Sequence, residues 1–595
     1  MGHDERVGLA HPVDARPCAP VVHLRVRDCG AEQDHRFASG IGRSRLGSDP
    51  RGLVLHGRQP SESGMVCDEH LDCTTRMERV NDSDPAPFDA DLFARCEGPL
   101  PSGLRAGRSN AIFCVGSCFH RRGEVRRLWI RAGGGLTEVR NRSLPRHDLF
   151  LELHRSAAGS DPEDRSYRSG FWSVVPVGPL EPGPMEIAVV AELGDGSTVA
   201  APFAEIPIVP APPRPGGDAE RPARIGICMA TYEPDPELLA VQIDSIRAQT
   251  NRDWVCYVSD DHSSEPAWEE IRRIVGDDER FVLSRAGERI GFFRNFERAL
   301  SMASEECELI ALSDQDDRWY PEKLDALAAA IGGHQLVYSD QRLTLRDGTV
   351  IRDTLWVGRS RNEDSLYSIA TANTIVGASA IMRRDLLDRI LPFPRSPGWQ
   401  FHDHWISAVA LAAGSVGYID RPLYDYVQHE TAVVGRVSVE GAGEERGPGP
   451  LSSLRHPRRM LIRWKCIYFR SFIHVALQAE VLLGRCSDRM SARDARALRR
   501  LIAADRSPLG ALELAVRPVR EIWGRNETLG TEWHLLKGIA WLWLVRLREV
   551  GRRSPTGARQ DVTVPEFDIG SFAQWRLKRW IQGRSRAAVR ATSSV

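Results

Sequence analysis

The hydrophobic and polar positions of the chain fall into three regions with different patterns. In the first, from about 108 to 210, short apolar runs such as Leu149–Leu153 and Phe171–Val175 are separated by clusters of Gly, Pro, Asp and Ser. Short strands separated by turn residues are typical of an all-β sandwich. We therefore predict a β-sandwich accessory domain over 108–210, followed by a stiff, Pro-rich linker over 211–221.

The second region, 222–436, alternates strand-like and helix-like patterns. The stretch Arg224–Ala230 is an almost continuous apolar run, as in a buried parallel strand, and the apolar residues behind it repeat at helical spacing. Two later runs end in acidic clusters, Ser259–Asp261 and Ser313–Asp317. In doubly wound sheets ligands bind at the carboxyl ends of the strands, so both clusters are expected to line one site. The pattern predicts an α/β domain.

The third region, 450–550, is helical, and its apolar positions are interrupted by arginines. The apolar face of Trp533–Leu547 is expected to pack against the α/β domain, and a membrane surface is the alternative. The remaining stretch, 551–595, is a basic tail with six basic residues between Ser571 and Arg590 and no acidic residue there. Its composition favours anionic lipid headgroups, with a solvated tail as the alternative.

The N-terminal stretch has no such pattern. Residues 1 to about 76 contain one aromatic residue and no sustained hydrophobic period, so they cannot build a core. We expect 1–107 to be either a disordered arm or a mis-annotated extension of the reading frame, with the true start at Met65 or Met77.

Composition narrows the class of protein. The 595 residues are 42% apolar and 27% charged, which is ordinary for a folded chain of several domains. Because 79 basic residues nearly balance 80 acidic ones, no overall field favours nucleic acid. The 12 cysteines include no CxxC pair, and neither an apolar signal segment nor an 18-residue apolar run is found. The expected location is the cytoplasm.

Eight motifs follow one another through the α/β region: Met229–Glu233, Val258–Ser264, Gly291–Phe296, Leu312–Trp319 with Pro321 and Lys323, Tyr338–Asp340, Asn373–Gly377, His402–Trp405 and Tyr426–His429. In order and spacing they resemble the family-2 glycosyltransferases of GT-A fold, especially the bacterial rhamnosyltransferase-like branch. The resemblance covers about 222–436. It implies a GT-A catalytic domain with a Rossmann-like nucleotide-binding half, and the β-sandwich before it is similar to accessory domains of other bacterial glycosyltransferases.

The acidic cluster of Asp314, Asp316 and Asp317 is suited to a hard divalent cation, which neutralises the diphosphate left by a nucleotide sugar. The resemblance implies Mg²⁺ or Mn²⁺ as cofactor, Asp317 as metal ligand, and Asp316 as a contact to the ribose or the metal. It also implies that His429 completes the metal shell. The alternatives are a helix-capping acidic loop and a structural His429.

The resemblance assigns a further set of residues to a dTDP- or UDP-sugar donor: Thr231, Glu233, Asp260, Asp261, Arg294 and Asn295. The first two match contacts to the uracil or thymine base and its ribose, the aspartates match a base contact, and the last two match the diphosphate, aided by a helix N-terminus. An Asx turn at the aspartates and a solvated Arg294 are the alternatives.

Asp403 matches the position of the family's catalytic carboxylate. It is the expected general base that takes the proton of an acceptor hydroxyl. The flanking His402 and His404 are expected to shift its pKa. A helix-capping role is the alternative for Asp403. The Gln-x-x-Arg-Trp motif of processive synthases does not follow, so addition of one or a few sugars per encounter is expected.

The sequence therefore predicts a metal-dependent, inverting, non-processive glycosyltransferase of bacterial cell-surface polysaccharide synthesis. Its expected partners are a nucleotide sugar and a glycan or lipid-linked glycan acceptor, with peripheral contact to the anionic inner membrane and no nucleic acid. A nucleotidyltransferase is one alternative, although no Gly-rich phosphate loop follows the first strand. A non-catalytic glycan-binding scaffold is the other.

Overall fold

The N-terminal part of the protein contains two β-sheets. The computed structural model describes residues 86–550 except 157–160, 162, 211–223, 357–359, 398–399, 429–456, 524, 526 and 529. The strands are β1 Leu92–Cys96, β2 Leu104–Arg105, β3 Asn110–His120, β4 Val125–Ala132, β5 Gly135–Glu138, β6 Asn141–Leu144, β7 Gly170–Val177, β8 Gly183–Leu193 and β9 Thr198–Val209, with helix α1 at His147–Ser156. One sheet has the order β1-β3-β7-β6 and the other β2-β9-β8-β4-β5.

Side chains from both sheets meet in one apolar core. Ile112 on β3 and Val175 on β7 lie in the same buried cluster as Ile130 on β4, Val189 on β8 and Ile206 on β9. Two sheets that bury their facing side chains against each other form a sandwich. The β part of the predicted fold class is therefore confirmed.

The β module begins earlier than the sequence predicted. Strand β1 pairs with β3 along its whole length, and Phe88 forms a bridge with Ala200 on β9. The expectation that 1–107 lies outside the folded part is therefore wrong from residue 88 onward, because a short strand with a weak pattern is completed by distant partners. Residues 1–85 and the linker 211–221 lie outside the described residues.

The α/β domain is built on a nine-stranded mixed sheet with the order β12-β11-β10-β13-β17-β15-β18-β14, and β16 pairs with β15. Its strands are β10 Ile225–Thr231, β11 Trp254–Asp260, β12 Phe281–Arg285, β13 Leu309–Ser313, β14 Arg318–Trp319, β15 Leu336–Leu345, β16 Val350–Arg352, β17 Ala380–Arg383 and β18 Val416–Gln428. Its helices are α2 Pro236–Arg247, α3 Glu265–Val275, α4 Phe292–Met302, α5 Lys323–Ala330, α6 Leu366–Thr371, α7 Leu387–Ile390 and α8 His402–Ala413.

The carboxyl ends of three neighbouring strands meet at one edge of this sheet. Strand β10 pairs in parallel with β11 and β13, which places Thr231 opposite Asp260 and Met229 opposite Ser313. Antiparallel β17 lies on the other side of β13 and is followed by β15. The turns after β10, β11 and β13 are therefore adjacent, as predicted for the two acidic clusters.

The C-terminal part is helical, with α9 Pro457–Ile467, α10 Ile473–Cys486, α11 Ala492–Ile502, α12 Pro508–Val516 and α13 Thr531–Glu549. A π-helical turn, Tyr468–Phe472, joins α9 and α10 into one segment, Pro457–Cys486, that is long and apolar enough to cross a membrane by length and composition alone. In this fold 78% of its most apolar window is buried inside the protein. The segment is thus a core helix of the described structure.

The helical part is joined to both other parts by buried polar contacts. The Tyr468 hydroxyl donates to Asp505 at 2.7 Å and accepts from Trp172 Nε1 of the β module at 3.0 Å. The Arg485 guanidinium donates to the carbonyl of Ser109 at 2.8 Å and to that of Pro392, in the α/β domain, at 2.7 Å. These contacts fix the β module, the α/β domain and the helices in one arrangement.

Candidate active site

The aspartate that ends β11 is fully buried and holds a turn together. Asp260 Oδ1 accepts hydrogen bonds from the hydroxyls of Thr231, at 3.2 Å, and Ser263, at 2.6 Å. Its other oxygen accepts from the Ser263 amide at 2.9 Å. Both oxygens of Asp260 and the hydroxyl of Thr231 are therefore engaged in hydrogen bonds that hold the ends of β10 and β11. The Asx-turn alternative describes Asp260 better than a direct contact to a base.

Glu233 links the turn after β10 to the turn after β11. Its carboxylate accepts from the Ser264 amide at 2.6 Å and from the Ser264 hydroxyl at 3.1 Å, and its own amide donates to Ser263 Oγ at 2.9 Å. The backbone of Glu233 has a positive φ of 41°. Non-glycine residues in this conformation are held there by their surroundings, so the two turns keep a fixed relative position at the sheet edge.

Asp261 reaches the loop that precedes α4. Its carboxylate accepts from the amides of Ile290, at 2.6 Å, and Gly291, at 2.9 Å. Burial raises the pKa of Asp261, and those amides together with the charge of Arg289 act in the opposite direction. The Arg289 guanidinium also lies 4.1 Å from the centre of the Tyr232 ring. Arg289, which belongs to none of the sequence motifs, thus places a positive charge at this edge of the sheet.

The two residues predicted to meet a diphosphate have partners inside the protein. Arg294 pairs with Glu297 on the same helix and donates to the carbonyl of Phe393 at 3.0 Å. Asn295 is buried, and its amide donates to the carbonyls of Thr231, at 3.1 Å, and Ser259, at 2.8 Å. Both side chains are therefore engaged within the protein, and their contact to a diphosphate stays a prediction. Asn295 fixes the ends of β10 and β11, because a buried amide must satisfy its hydrogen bonds and these carbonyls lie within reach.

Asp317, in the loop after β13, is the most unusual carboxylate of the site. Its side chain is 1% exposed, and neither carboxylate oxygen has a hydrogen-bond partner of ordinary geometry among the described residues, although the Val427 amide lies near enough to lower its pKa. Burial raises the pKa of Asp317 well above its usual value, and the charges of Asp314 and Asp316 add to the effect. A buried carboxylate without a partner is costly unless a cation or proton neutralises it. The surroundings of Asp317 therefore suit either a bound cation or a proton.

Asp314 and Asp403 lie close enough for the charge of Asp403 to raise the pKa of Asp314. Burial raises the pKa of Asp314 to about 7, and the charges of Asp316 and then Asp403 contribute to this shift. Burial also raises the pKa of Asp403, to about 6, although its Oδ1 accepts from the His404 amide at 2.6 Å. The structure thus brings the predicted base, from the first turn of α8, to the acidic loop after β13.

The acidic residues fit a divalent cation shared with a substrate. Within the described ranges, no group of three or more His, Cys, Asp or Glu side chains forms a metal site by itself. A Mg²⁺ or Mn²⁺ ion bound through one or two carboxylates plus substrate phosphates needs no such group. The unpartnered Asp317, with Asp314 and Asp316 close enough to raise its pKa, meets that requirement.

A buried lysine accompanies the acidic loop. Lys323, at the start of α5, donates to the carbonyl of Ala378 at 2.5 Å, and its Nζ lies 3.7 Å from the centre of the Trp319 ring and 4.4 Å from that of Tyr424. Burial lowers the pKa of Lys323 well below its usual value, and the charges of Asp317 and Asp314 oppose this. Lys323 belongs to a motif recognised in the sequence, but no role for the lysine followed from that motif.

Another buried carboxylate, Asp425 on β18, ties the acidic loop to the end of the sheet. It accepts hydrogen bonds from Arg318 Nε at 2.9 Å, Arg342 Nε at 2.7 Å and the Tyr320 hydroxyl at 2.6 Å. Although burial opposes it, these partners hold the pKa of Asp425 below its usual value. Asp425 therefore remains a structural anion, in contrast to Asp317.

The histidines beside Asp403 do not shift its pKa as predicted. The His402 ring stacks on Phe296 with 3.6 Å between centroids, and burial lowers the pKa of His402 to about 3. His404 Nε2 lies 2.7 Å from the carbonyl of Ile369, and burial lowers its pKa as well. Both rings are neutral near pH 7, so the raised pKa of Asp403 comes from burial.

Gly377 allows the start of α8 to approach the sheet. A Cβ atom at this position would lie 2.6 Å from Nε2 of His402 and 3.5 Å from Cβ of Asp403. Contacts under 3.0 Å require a neighbour to move. The glycine of the Asn373–Gly377 motif therefore sets the position of Asp403. The predicted metal ligand His429 lies outside the described residues.

Residues 226–391 match the family model described as glycosyl transferase family 2. A curated relative, the uncharacterized protein y4gI of Sinorhizobium fredii (strain NBRC 101917 / NGR234), is 29% identical over 154 residues, which are 24% of this chain. The chain spans only 16% of that relative's length.

Solved structures similar to the chain include TarS residues 1–349 of S. aureus in complex with UDP-GlcNAc, with 14% identity, 58% of this chain and 97% of that chain covered, and a TM-score of 0.33. Another is the mannosyltransferase PcManGT of Pyrobaculum calidifontis in complex with GDP-Man and Mn²⁺, with 17% identity, coverage of 57% and 91%, and a TM-score of 0.30. Together with the sheet described above, the family match confirms the GT-A fold class, and residues 226–391 are similar to family-2 glycosyltransferases.

Proposed function

We propose that this domain transfers a sugar from a nucleotide-diphosphate sugar to a hydroxyl of a glycan or lipid-linked glycan, with a divalent cation and with inversion at the anomeric carbon. The observation that carries the proposal is Asp317, a buried carboxylate with no hydrogen-bond partner of ordinary geometry among the described residues, in the loop after the third parallel strand. The family match over 226–391 and the neighbouring Asp314 support it.

The donor side of the site is formed by the turns after β10, β11 and β13. The amide of Tyr232 donates to Gln315 Oε1 at 2.8 Å, so the first turn and the acidic loop are held together. Arg289 supplies positive charge at this edge. Asp317 and Asp316 would hold Mg²⁺ or Mn²⁺, which when bound neutralises charge on the departing diphosphate.

Asp403 would act as the base on the acceptor side. With a pKa of about 6 it is mainly a carboxylate at neutral pH, yet it is more basic than an ordinary aspartate. It can therefore accept the proton of an acceptor hydroxyl while that oxygen bonds to the anomeric carbon and the bond to the diphosphate breaks. A single displacement of this kind inverts the configuration. No Gln-x-x-Arg-Trp motif follows Asp403 in the sequence, which supports transfer of one or a few sugars per encounter.

Apolar side chains on the helical part support contact with a membrane. On α12, Leu509, Leu512 and Val516 follow helical spacing and are exposed, and Ile522 and Trp523 are exposed just after it. Exposed apolar groups with an aromatic residue suit the interface of a bilayer. We propose a peripheral position on the cytoplasmic face of the inner membrane, where a lipid-linked acceptor of cell-surface polysaccharide synthesis would be presented.

Release of nucleoside diphosphate from a panel of UDP-, dTDP- and GDP-sugars, with Mn²⁺ or Mg²⁺, tests the proposed chemistry. A glycosyltransferase releases nucleoside diphosphate slowly by hydrolysis and faster with acceptor. Formation of pyrophosphate from a nucleoside triphosphate and a sugar phosphate would instead identify a nucleotidyltransferase. Donor binding without any turnover would indicate a non-catalytic scaffold.

A further inference from the structure

A cavity lies apart from the residues of the candidate active site. It has a volume of about 440 Å³ and is lined by residue 356, residues of the segment 360–364, the start of β18, and residues 525 and 527. Tyr418, at the start of β18, lines it, whereas the acidic loop meets the same strand at Asp425. On the neighbouring strand β15 the partners of these two residues, Tyr338 and Arg342, are four residues apart, which is roughly 13 Å at about 3.3 Å per residue, so the two places are distinct but lie along one stretch of sheet. The cavity shares no lining residue with the site described above.

Two buried polar atoms of residues that line this cavity have no hydrogen-bond partner among the described residues. One is the donor Nε1 of Trp356, and the other is the acceptor Oε2 of Glu527. Glu527 is only 5% exposed, and its Oε1 pairs with Arg520 at 2.8 Å. Because buried polar groups are almost always hydrogen-bonded, a free donor and a free acceptor beside one cavity point to a ligand that supplies both.

The walls suit a polar ligand with an apolar face. The rings of Trp356 and Tyr418 stand at 85° to each other with 6.1 Å between their centroids, and Arg361 covers Tyr418 at 3.8 Å. Glu363 accepts from the Tyr338 hydroxyl at 3.0 Å and pairs with Arg361 at 3.2 Å. These hydrogen bonds fix the carboxylate and the aromatic groups in place.

The charges disfavour an anionic ligand. Four carboxylates line the cavity, those of Glu363, Asp364, Asp420 and Glu527, against the two guanidinium groups of Arg361 and Arg525. Even with Arg520 paired to Glu527, carboxylates outnumber guanidinium groups, which disfavours a phosphate or sulfate relative to a neutral ligand. Hydroxyl groups donate to carboxylates and accept from an indole N–H, and the C–H face of a sugar ring packs on aromatic side chains.

We propose that this cavity binds a neutral sugar unit of a glycan, as a site separate from the one where transfer takes place. That the glycan is the acceptor of the reaction rests on the proposed function, but sugar binding itself does not. The cavity would then hold the acceptor at a distance from its reacting end and contribute to the choice of glycan.

Saturation-transfer NMR on the full chain, without nucleotide or metal, tests the proposal. The probes are the methyl glycosides of glucose, galactose, mannose, rhamnose and N-acetylglucosamine. At least one is expected to bind, and Trp356→Phe and Glu527→Gln are each expected to weaken its affinity roughly tenfold, because the first removes the indole donor and the second replaces a carboxylate acceptor by an amide donor of similar size. Asp403→Asn and Trp533→Phe, which change residues elsewhere, serve as controls that retain binding.

Absence of binding by every probe, or unchanged affinity in both cavity variants, would overturn the proposal. Circular dichroism and thermal unfolding establish that each variant is folded, and if one of the two is not, the other decides. Since no donor is present, a negative result here is distinct from failure of the transfer assay. An enzyme that hydrolyses nucleotide sugars but binds no free glycoside would retain the proposed function and lose this inference.

Discussion

The ammonium nitrogen of Lys323 lies 3.7 Å from the centre of the Trp319 ring, at the foot of the acidic loop. The tryptophan ends the short strand β14 and the lysine begins α5, so the loop and the following helix are joined by this contact. The same amine interacts with the charges of Asp314 and Asp317. A single buried cation therefore connects the packing of the loop to the ionisation of its carboxylates.

Lys323→Met should weaken transfer at low concentrations of Mn²⁺, so that more metal is needed, while the protein stays folded. The charge of Lys323 lowers the pKa of Asp314 and of Asp317, so its loss raises both pKa values further. More of each carboxylate is then protonated at neutral pH. We expect the Mn²⁺ concentration for half-maximal transfer to rise roughly tenfold and the activity optimum to move to higher pH. Unchanged metal titration and pH profile would show that Lys323 only packs the loop.

Asp317→Asn should abolish metal-dependent transfer while stabilising the fold. The pKa of Asp317 is raised in the folded state, so its charge costs stability above the pKa of the unfolded chain, about 4, and this cost fades as pH falls. Removing the unpartnered charge should raise the free energy of unfolding at pH 7 by about 1–3 kcal/mol. Thermal unfolding with and without Mn²⁺ measures this, and only the wild type should be stabilised by the ion. Full activity after chelation would contradict the metal assignment, and Asp316→Asn is expected to lose transfer as well.

Asp403→Asn should reduce turnover by roughly 10²–10⁴ and leave donor affinity nearly unchanged. In the wild type, kcat should rise with pH through about 6, where the Asp403 carboxyl group loses its proton, and the variant should lack this limb. NMR of the product from an α-linked donor should show a β linkage. Retained configuration would exclude the single displacement and the role of Asp403 as its base.

Gly377→Ala should lower activity through the position of α8. The new methyl group would lie 2.6 Å from Nε2 of His402, which must move and carry Asp403 with it. We expect a drop in kcat larger than any change in donor KM. Gly333→Ala is the matched control, since a Cβ there meets no atom within 4 Å and should leave both constants unaltered. Equal effects of the two substitutions would show that the close approach at Gly377 is unimportant.

Vesicle binding should have an apolar and an electrostatic component. The double substitution Leu512→Glu with Ile522→Glu is expected to weaken flotation with liposomes at any salt concentration, because it charges exposed apolar side chains. Deletion of 571–595 should remove only the part of the binding that salt screens, at about 1 kcal/mol per basic residue near an anionic surface. Val350→Glu, at an exposed apolar residue of the α/β domain, is the control. Binding that survives both changes would exclude this surface and the tail.

Sequence patterns were sufficient for the elements that are locally determined. The buried run of β10 and the acidic ends of β11 and β13 predicted that the two acidic clusters would meet at one sheet edge, because parallel strands align their carboxyl ends. Asp317 and Asp403 came from motif order, and the proximity of Asp403 to Asp314 is visible only in the fold. Their roles in the reaction stay predictions.

Side-chain partners were not predictable in the same way. Asn295 has a polar side chain at a helix start, which also suits a ligand contact, and only the folded sheet shows that two strand-end carbonyls occupy it. Asp425 carries no local signal, because its partners Arg318 and Arg342 belong to other strands. The neutral state of His402 depends on burial against Phe296, a contact between two helices far apart in sequence.

The hydroxyl of Tyr468 has a consequence for how the protein can be divided. It receives hydrogen bonds from Asn141 and Trp172 of the β module and donates to Asp505 in the helical part. A chain cut between the β module and the α/β domain would leave this buried hydroxyl, and the apolar segment Pro457–Cys486 around it, facing water. A fragment made of the α/β domain and the helical part would then be prone to aggregate. Inactivity of such a fragment would indicate lost solubility rather than a missing catalytic group.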